Sequence, residues 1–362
     1  MSKKVIVGLS GGVDSAVAAF LLKEQGYDVI GLFMRNWREE DDCGRCSADE
    51  DYYDVRRIAD ALKIDYYAED FSREYFDRVF KHFVEEYKKG RTPNPDVLCN
   101  REIKFDVFAD LARTMTADYV ATGHYAAVSH GNRHLLLRAK DENKDQTYFL
   151  NQVTEAQISN ALFPLGDLRK GEVRDIAKKA GIPVWEKKDS TGICFIGERN
   201  FRKFLAEYIP MKEGDIVTPE GVVVGKHEGV YYYTIGQRKG LGVGGGGNGE
   251  PWFVVDKDVN NNRLIVTQGE TDMLYSDALT VDDFHFISAE LPEGESRVLC
   301  RIRHRQPLVK ATAIRAGKTV KVLFDEPQRA VAEGQYAVLY DDRVCLGGGV
   351  IESKEKGRKR AE

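Results

Sequence analysis

Over the first ~200 residues, short apolar runs alternate with stretches of 3.6-residue periodicity, a pattern that predicts an α/β domain on a mostly parallel sheet. Residues 5–9 are an apolar run that leads into Ser-Gly-Gly. Residues 14–25 then place Val17, Phe20, Leu21 and Leu22 at helical spacing, and Gly26 ends the helix. A second strand is expected over 27–34, and a helix over 51–63 with Val55, Ile58, Ala59 and Leu62 on one face. A third strand begins at 64–68, and another over 117–122 ends at Gly123-His124. Residues 72–89 and 101–115 predict amphipathic helices. The segment between them, 90–99, is expected to be a stiff loop, because Pro93 and Pro95 oppose a helix there. A further helix over 171–180 is closed by Gly181 and Pro183.

After about residue 210 the pattern changes to short Val-, Tyr- and Thr-rich runs between Gly, Asn and Asp clusters, which suits small β-barrels or sandwiches. A break near 274–278 divides them in two. The expected organisation is therefore an α/β catalytic domain over 1–208, a central small β domain over 209–274 and a C-terminal β-barrel domain over 275–362. A chain of 362 residues has room for all three. No apolar run approaches the ~20 residues that span a bilayer. The N-terminal MSKKVIVGLSGG lacks the apolar stretch of a secretory leader, so a cytoplasmic protein with reduced thiols and no membrane partner is expected. Six cysteines are too few for a disulfide scaffold and more consistent with catalysis or metal binding. The net charge of −5 requires that any nucleic-acid surface gather its basic groups on one face.

The unit strand–SGGVDS–helix, residues 10–15, carries the strongest local chemistry. Its glycines let the backbone approach an anion, and the helix N-terminus supplies unpaired N–H groups and a positive dipole end. Ser10 and Ser15 add hydroxyls, and Asp14 could either cap the helix or help hold Mg²⁺. A bare Gly-Gly turn is the bland alternative. Neither GxxxxGK(S/T) nor GxGxxG is present here, which excludes a Walker loop and a dinucleotide fingerprint. The loop resembles the pyrophosphate-binding loop of the ATP pyrophosphatase superfamily, whose members cleave ATP to AMP and pyrophosphate and leave an adenylated substrate. The resemblance implies a Rossmann-like domain with ATP held by Gly8, Leu9, Ser10, Gly11, Gly12, Val13, Asp14 and Ser15. Met34 and Gly123, at strand C-terminal ends where ligands collect in such sheets, would contact adenine and ribose.

Cys99 lies in NPDVLCNREIKF, expected just before a helix capped by Asn100, where the dipole would favour its thiolate. Asp96, three residues earlier, suits an acid or base held by the Pro93-Asn94-Pro95 turn. Cys194, in DSTGICFIGERNF between Gly192 and Gly197, suits a mobile loop. Either cysteine taken alone could be a small buried hydrophobe. The ordered set SGGVDS, RTPNPDVLCN, ATGHYA, KDQTYFL, DSTGICFIGERNF, TIGQRKGLG and CLGGGVIE is similar to the tRNA-specific 2-thiouridylases, over almost the whole chain.

That resemblance implies adenylation of the 2-oxygen of a wobble uridine in tRNA, followed by sulfur transfer. Cys194 would carry a persulfide from a donor, a cysteine desulfurase or relay protein. Cys99 would be the second nucleophile, the pair ending as a Cys99–Cys194 disulfide, and Asp96 would handle protons. Asn94, Pro95 and Asp96 would touch the target base. His124, Lys144, Asp145, Gln146, Arg303, His304, Arg305 and Gln335 would contact tRNA. From the residues themselves, Arg301, Arg303 and Arg305 alternate along an expected strand, a plausible phosphate track or, equally, a charged edge. The family often has an aromatic where His304 stands. Cys43-Gly-Arg-Cys46 is an extra CxxC; two incidental loop thiols are the favoured reading, and no metal site is expected. The sharper alternative has one of them join Asp96, Cys99 and Cys194 around an iron–sulfur cluster. Rival functions are another ATP pyrophosphatase, such as a tRNA lysidine synthetase or an amide-forming synthetase, and a sulfur-relay or RNA-binding protein that uses ATP only as a switch.

Overall fold

The computed structural model describes residues 2–37, 47–189, 201–244 and 248–357. Its first sheet contains β1 (Lys4–Gly8), β2 (Asp28–Arg35) and β3 (Asp65–Asp70), with α1 (Val13–Glu24) and α2 (Ser47–Leu62) as crossovers. Two further strands follow, β4 (Tyr119–Ala121) and, beyond the hairpin β5 (Ala126–His130) and β6 (His134–Arg138), β7 (Ala161–Leu162). The order is β3-β2-β1-β4-β7, with every pairing parallel. Val5, Ile6 and Val7 are consecutive and fully buried, because helices cover both faces of the central strand. Val5 and Val7 pack with Val17, Val55, Ile58 and Val173 on one side. Ile6 and Leu32 pack on the other side with Tyr75, Phe80, Ile103 and Phe108.

The two expected helices on that second face are less regular than the pattern implied, and the second is also longer. The first runs as Ser72–Tyr75, a π turn Phe76–Phe80, and Lys81–Lys88. The second begins at Pro95, not after residue 100. Pro95–Leu98 passes into a π segment, Cys99–Val107, and then into Phe108–Thr114. Pro95 occupies the first helical position, where its missing N–H removes no hydrogen bond. Asn94 is the cap, its side chain accepting from the Asp96 amide at 3.2 Å. The expected Asn100 cap and the stiff loop extending to Cys99 are thereby corrected.

A four-stranded sheet follows, ordered Trp252–Asp258, Arg263–Gln268, Gly214–Val217, Val223–His227. The last sheet has ten strands, and two of them are the β5–β6 hairpin from the first third of the chain, joined through Leu137 and Val344. The sequence pattern gave no sign of that hairpin. Further hydrogen bonds close the seam. The Thr92 amide donates to the Glu333 carbonyl at 2.9 Å, Gln335 Nε2 to the Thr92 carbonyl at 2.7 Å, and Gln152 Nε2 to the Gly348 carbonyl at 2.6 Å. Among the described residues, no helix is long and apolar enough to cross a membrane.

Candidate active site

The chain leaves β1 to pair with β2 on one side, while β4 flanks β1 on the other, so the crevice between β1 and β4 lies at the switch point of the sheet. The loop after β1 and the exit of β4 meet there. A Cβ placed on Gly123 would lie 2.6 Å from the Ser15 nitrogen and 2.7 Å from the Asp14 carbonyl carbon, so only glycine allows this approach. Gly11 has φ +72°, and a Cβ there would lie 2.7 Å from the Asp51 carbonyl oxygen. Met34 reaches back over Gly8, its methyl 3.2 Å from where a Cβ would stand. Gly12 caps α1 in an extended conformation with no side-chain hydrogen bond. The Ser15 hydroxyl accepts from the Ser10 amide at 3.1 Å and donates to the Gly12 carbonyl at 3.1 Å, which fixes the loop's shape from within. Leu9 and Val13 are buried and lend the loop backbone rather than side chain.

Asp14 does not cap the helix. Its carboxylate accepts from Lys170 Nζ at 2.7 and 2.8 Å and from the Tyr125 hydroxyl at 3.0 Å. Burial, with the Asp14 charge beside it, pushes the Tyr125 phenol far up, so it remains a donor. Lys170 also reaches Asp189 at 2.7 Å, and Asp189 is shared with Lys144 at 2.6 Å and Arg174 at 2.9 Å. Burial alone would raise the Asp189 carboxyl; the hydrogen bonds from Lys144 and Lys170 outweigh it and hold the group at about 2. Lys170 and Arg174 had no signal in the sequence. Asp189 stands within the DSTGICFIG motif, where the cysteine drew attention away from it.

Cys99 lies in the second turn of its helix and is completely buried, within the same core as Val97, Ile103 and Phe105. The expectation of a loop thiol at a helix N-terminus is corrected on both counts, since the dipole's influence falls off within the first turn. Asp96 is half-buried one turn earlier. Burial raises its carboxyl above the ordinary range while the Lys104 ammonium opposes the rise. His124 sits at the exit of β4 with Nδ1 2.8 Å from the Thr122 hydroxyl and its ring 6.2 Å from both Phe105 and Phe163. Burial, then the Lys104 charge, lowers it well below 6.5, so the imidazole is neutral. Lys104, on the π segment with Cys99, thus acts on both neighbours, and no motif in the sequence marks it. Cys194, Cys43 and Cys46 lie outside the described residues.

The residues expected to meet tRNA divide in two. Arg303 and Arg305 are exposed. The strand ends at Arg301, though, and the three arginines do not share a face. Arg301 turns inward and pairs with Asp145 at 2.9 Å, with side-chain exposures of 5% and 0%. Asp145 therefore belongs to the seam between domains and not to an RNA surface, which corrects that assignment. Gln146 accepts from the Tyr125 amide at 2.9 Å, and Gln335 joins Thr92 to the Tyr148 hydroxyl. Asn94 and Pro95 line a small cavity on this seam with Leu98, Gly334, Tyr336 and Val350. His304 packs on Phe149 with ring centroids 4.3 Å apart.

A parallel sheet with a glycine-rich phosphate loop at its switch point, followed by two β domains, is the architecture of an ATP pyrophosphatase of the HUP class. Residues 3–198 match the tRNA methyl transferase HUP domain, 202–268 the tRNA methyl transferase PRC-barrel domain, and 276–351 the aminomethyltransferase beta-barrel domain. The chain is 55% identical over 352 residues to the tRNA-specific 2-thiouridylase MnmA of Alkaliphilus oremlandii, covering 96% of this chain and 97% of that one. It is 54% identical over 353 residues to the tRNA-specific 2-thiouridylase MnmA 1 of Geobacillus kaustophilus, covering 97% and 95%. With MnmA of Streptococcus thermophilus it shares 52% over 361 residues, covering 98% and 97%. The chain belongs to the tRNA-specific 2-thiouridylase family.

Proposed function

We propose that this protein is a tRNA sulfurtransferase that uses ATP to replace the 2-oxygen of a wobble uridine with sulfur, giving 2-thiouridine, AMP and pyrophosphate. The observation that carries the nucleotide half is the start of α1, where Gly12 caps the helix with no side-chain hydrogen bond and leaves the first-turn amides to an anion, while Gly123 packs close against Asp14 and Ser15. Gly8 to Ser15, Met34 and Gly123 fit ATP there, and Asp14 is the carboxylate nearest to hand for Mg²⁺. Bound ATP supplies an adenylyl group that turns the uracil 2-oxygen into a leaving group.

Asn94, Pro95 and Asp96 hold the target base at the helix start. The raised carboxyl of Asp96 keeps a proton available to the departing or attacking group. Sulfur arrives as a Cys194 persulfide, charged by a donor protein. Its terminal sulfur forms the bond to carbon 2 as the carbon–oxygen bond to AMP breaks. The Cys99 thiolate then attacks the Cys194 sulfur, releasing the thiolated base and leaving a Cys99–Cys194 disulfide for a cellular thiol to reduce. In the variant order, Cys99 first frees hydrosulfide from the persulfide, with the same disulfide as product. Burial of Cys99 keeps its thiol from adventitious oxidation until the second cysteine reaches it. Arg303 and Arg305 meet tRNA phosphates. The cluster route would need Cys43 or Cys46, both beyond the described residues, and no step is assigned to it.

Cys194→Ala should retain tRNA-dependent pyrophosphate release and lose 2-thiouridine, because activation precedes sulfur transfer. Full turnover with both Cys99→Ser and Cys194→Ser would refute the sulfur route and favour another ATP pyrophosphatase.

A further inference from the structure

The chain that leads into the helix beginning at Pro95 is held from both β domains. Gly90 has φ +78° and abuts the central one: a Cβ there would lie 2.3 Å from Val259 Cγ2. The Arg91 guanidinium bridges Glu86, at 3.4 Å and with its side chain 5% exposed, to Glu352, just past the strand Val344–Val350. Thr92 is buried, and both of its backbone polar groups go to the turn 333–335. Its amide donates to the Glu333 carbonyl at 2.9 Å, and its carbonyl accepts from Gln335 Nε2 at 2.7 Å. Gly334, φ +88°, lies between these bonds, where a Cβ would stand 2.8 Å from Arg91 Cβ and 2.9 Å from the Thr92 nitrogen. The turn is itself fixed. The Gly334 amide donates to the Ile351 carbonyl at 3.0 Å, and the Ile351 amide to the Gln335 carbonyl at 2.8 Å.

Only Pro93 and Asn94 separate Thr92 from Pro95. Both prolines have a locked φ, and Thr92 and Asn94, each preceding a proline, are steered away from the helical region. Asn94 is accordingly extended, at φ −119° and ψ 99°. Four consecutive restricted residues leave little rotation to absorb a displacement, so a shift at Thr92 is carried to Asn94 and Asp96. Gln335 also joins a second support. Its Oε1 accepts from the Tyr148 hydroxyl at 3.3 Å, and the carbonyl of the next residue, Phe149, accepts from Asn100 Nδ2 at 3.0 Å. Asn100 follows Cys99 on the same helix.

We propose that the turn 333–335 positions the target-base site: Gly334 and Gln335 act through Thr92 and set where Asn94 and Asp96 stand. The proposal rests on the reading that Asn94, Pro95 and Asp96 hold the base. Both are positioning residues, and neither needs to touch the base or the nucleotide. Gln335 has both ends of its amide engaged inside the protein, which gives it a role that requires no contact with RNA. A displacement of about 1 Å at a reacting group costs up to about a hundredfold in rate, so a loosened Thr92 is felt in turnover before it is felt in affinity.

The readout is tRNA-dependent pyrophosphate release from ATP and Mg²⁺ by the full chain, because activation needs the base in place and needs no sulfur donor. Gln335→Glu keeps the acceptor for Tyr148 and removes the donor to Thr92; Gly334→Ala drives a methyl into Arg91 and Thr92. Each should lower kcat by about tenfold or more, with the Kd for tRNA and the KM for ATP within about threefold of the wild type. Because both act through Thr92, the double variant should lose no more than about threefold beyond the worse single one. Thermal melts check that each variant is folded at the assay temperature, and Gln335→Met replaces one that is not. An unchanged kcat in the folded variants would leave the turn a structural clamp alone and overturn the proposal. A loss confined to tRNA affinity would overturn it too, in favour of direct contact between Gln335 and RNA. Full rate in Asn94→Asp, which keeps the cap, would instead overturn the placement of the base at this helix, and the proposal with it, and needs no variant of the turn.

Discussion

An added methyl at Gly123 has nowhere to go: the Ser15 nitrogen and Asp14 carbonyl carbon stand 2.6 and 2.7 Å from it, and both are backbone. Gly123→Ala is expected to push the exit of β4 off α1, costing about 1–3 kcal/mol of stability and raising the KM for ATP at least about tenfold. Equilibrium urea unfolding and initial rates of pyrophosphate release measure the two effects. His304 provides a second residue-scale test. Burial, then the charges of Arg301, Arg305 and Lys144, lowers its folded value to about 4 against the ordinary 6.5. The unfolded chain therefore binds more protons between those values, and stability should fall as the pH drops from 6.5 towards 4. His304→Phe, which keeps the stack on Phe149, should flatten that part of the pH profile of the urea midpoint; an unchanged slope would exclude His304 as its source. At this scale the sequence was legible where a requirement is local. SGGVDS and Gly123 follow from backbone demands, whereas Lys170 and Asp14 are 156 residues apart and only folding pairs them.

The helix that begins at Pro95 carries both Asp96 and Cys99, so its start sets where the two proposed reactive groups stand. Asn94→Ala removes the cap at a cost of about 1 kcal/mol. It should reduce thiolation more than that loss of stability explains, and Asn94→Asp should recover the stability but not the base contact. Thermal melting and nucleoside yield separate the two. Periodicity located most strands and helices of the first domain. It failed at element ends, where two readings compete. Pro95 reads as a helix breaker, but a proline at the first helical position breaks nothing, and the capping signal from Asn94 is the better guide. Likewise the alternation of Arg301, Arg303 and Arg305 implied a strand, but the strand stops at Arg301 and a turn takes over, leaving one arginine inside and two outside.

The whole molecule is assembled around segments that sequence distance conceals. Hairpin β5–β6 completes the sheet of the last domain, and Asp145 of the first domain meets Arg301 of the last in a buried pair. Thr147 supports the Asp145 carboxylate at 2.9 and 3.0 Å, and the Arg301 guanidinium lies 5.8 Å from the Tyr340 ring centre. Arg301→Ala leaves a buried carboxylate with no cation and is expected to destabilise the protein by about 3–5 kcal/mol. Asp145→Asn in the same chain should return part of that loss, as a double-mutant cycle by urea unfolding would measure. The domain seam also explains why residues grouped by one motif, KDQ, perform different tasks: Lys144 grips Asp189, Asp145 holds Arg301, and Gln146 accepts from the Tyr125 amide. Although the net charge is −5, tRNA affinity should fall steeply with salt, since Arg303 and Arg305 would displace counterions from phosphates if they meet tRNA as proposed.

The most direct test is mass analysis of nucleosides from tRNA incubated with the protein, ATP, Mg²⁺ and a persulfide donor, a cysteine desulfurase with cysteine. A 2-thiouridine at the wobble position, formed with pyrophosphate and dependent on ATP, is the predicted result. Unmodified uridine under those conditions, or thiolation that proceeds without ATP, would contradict the account.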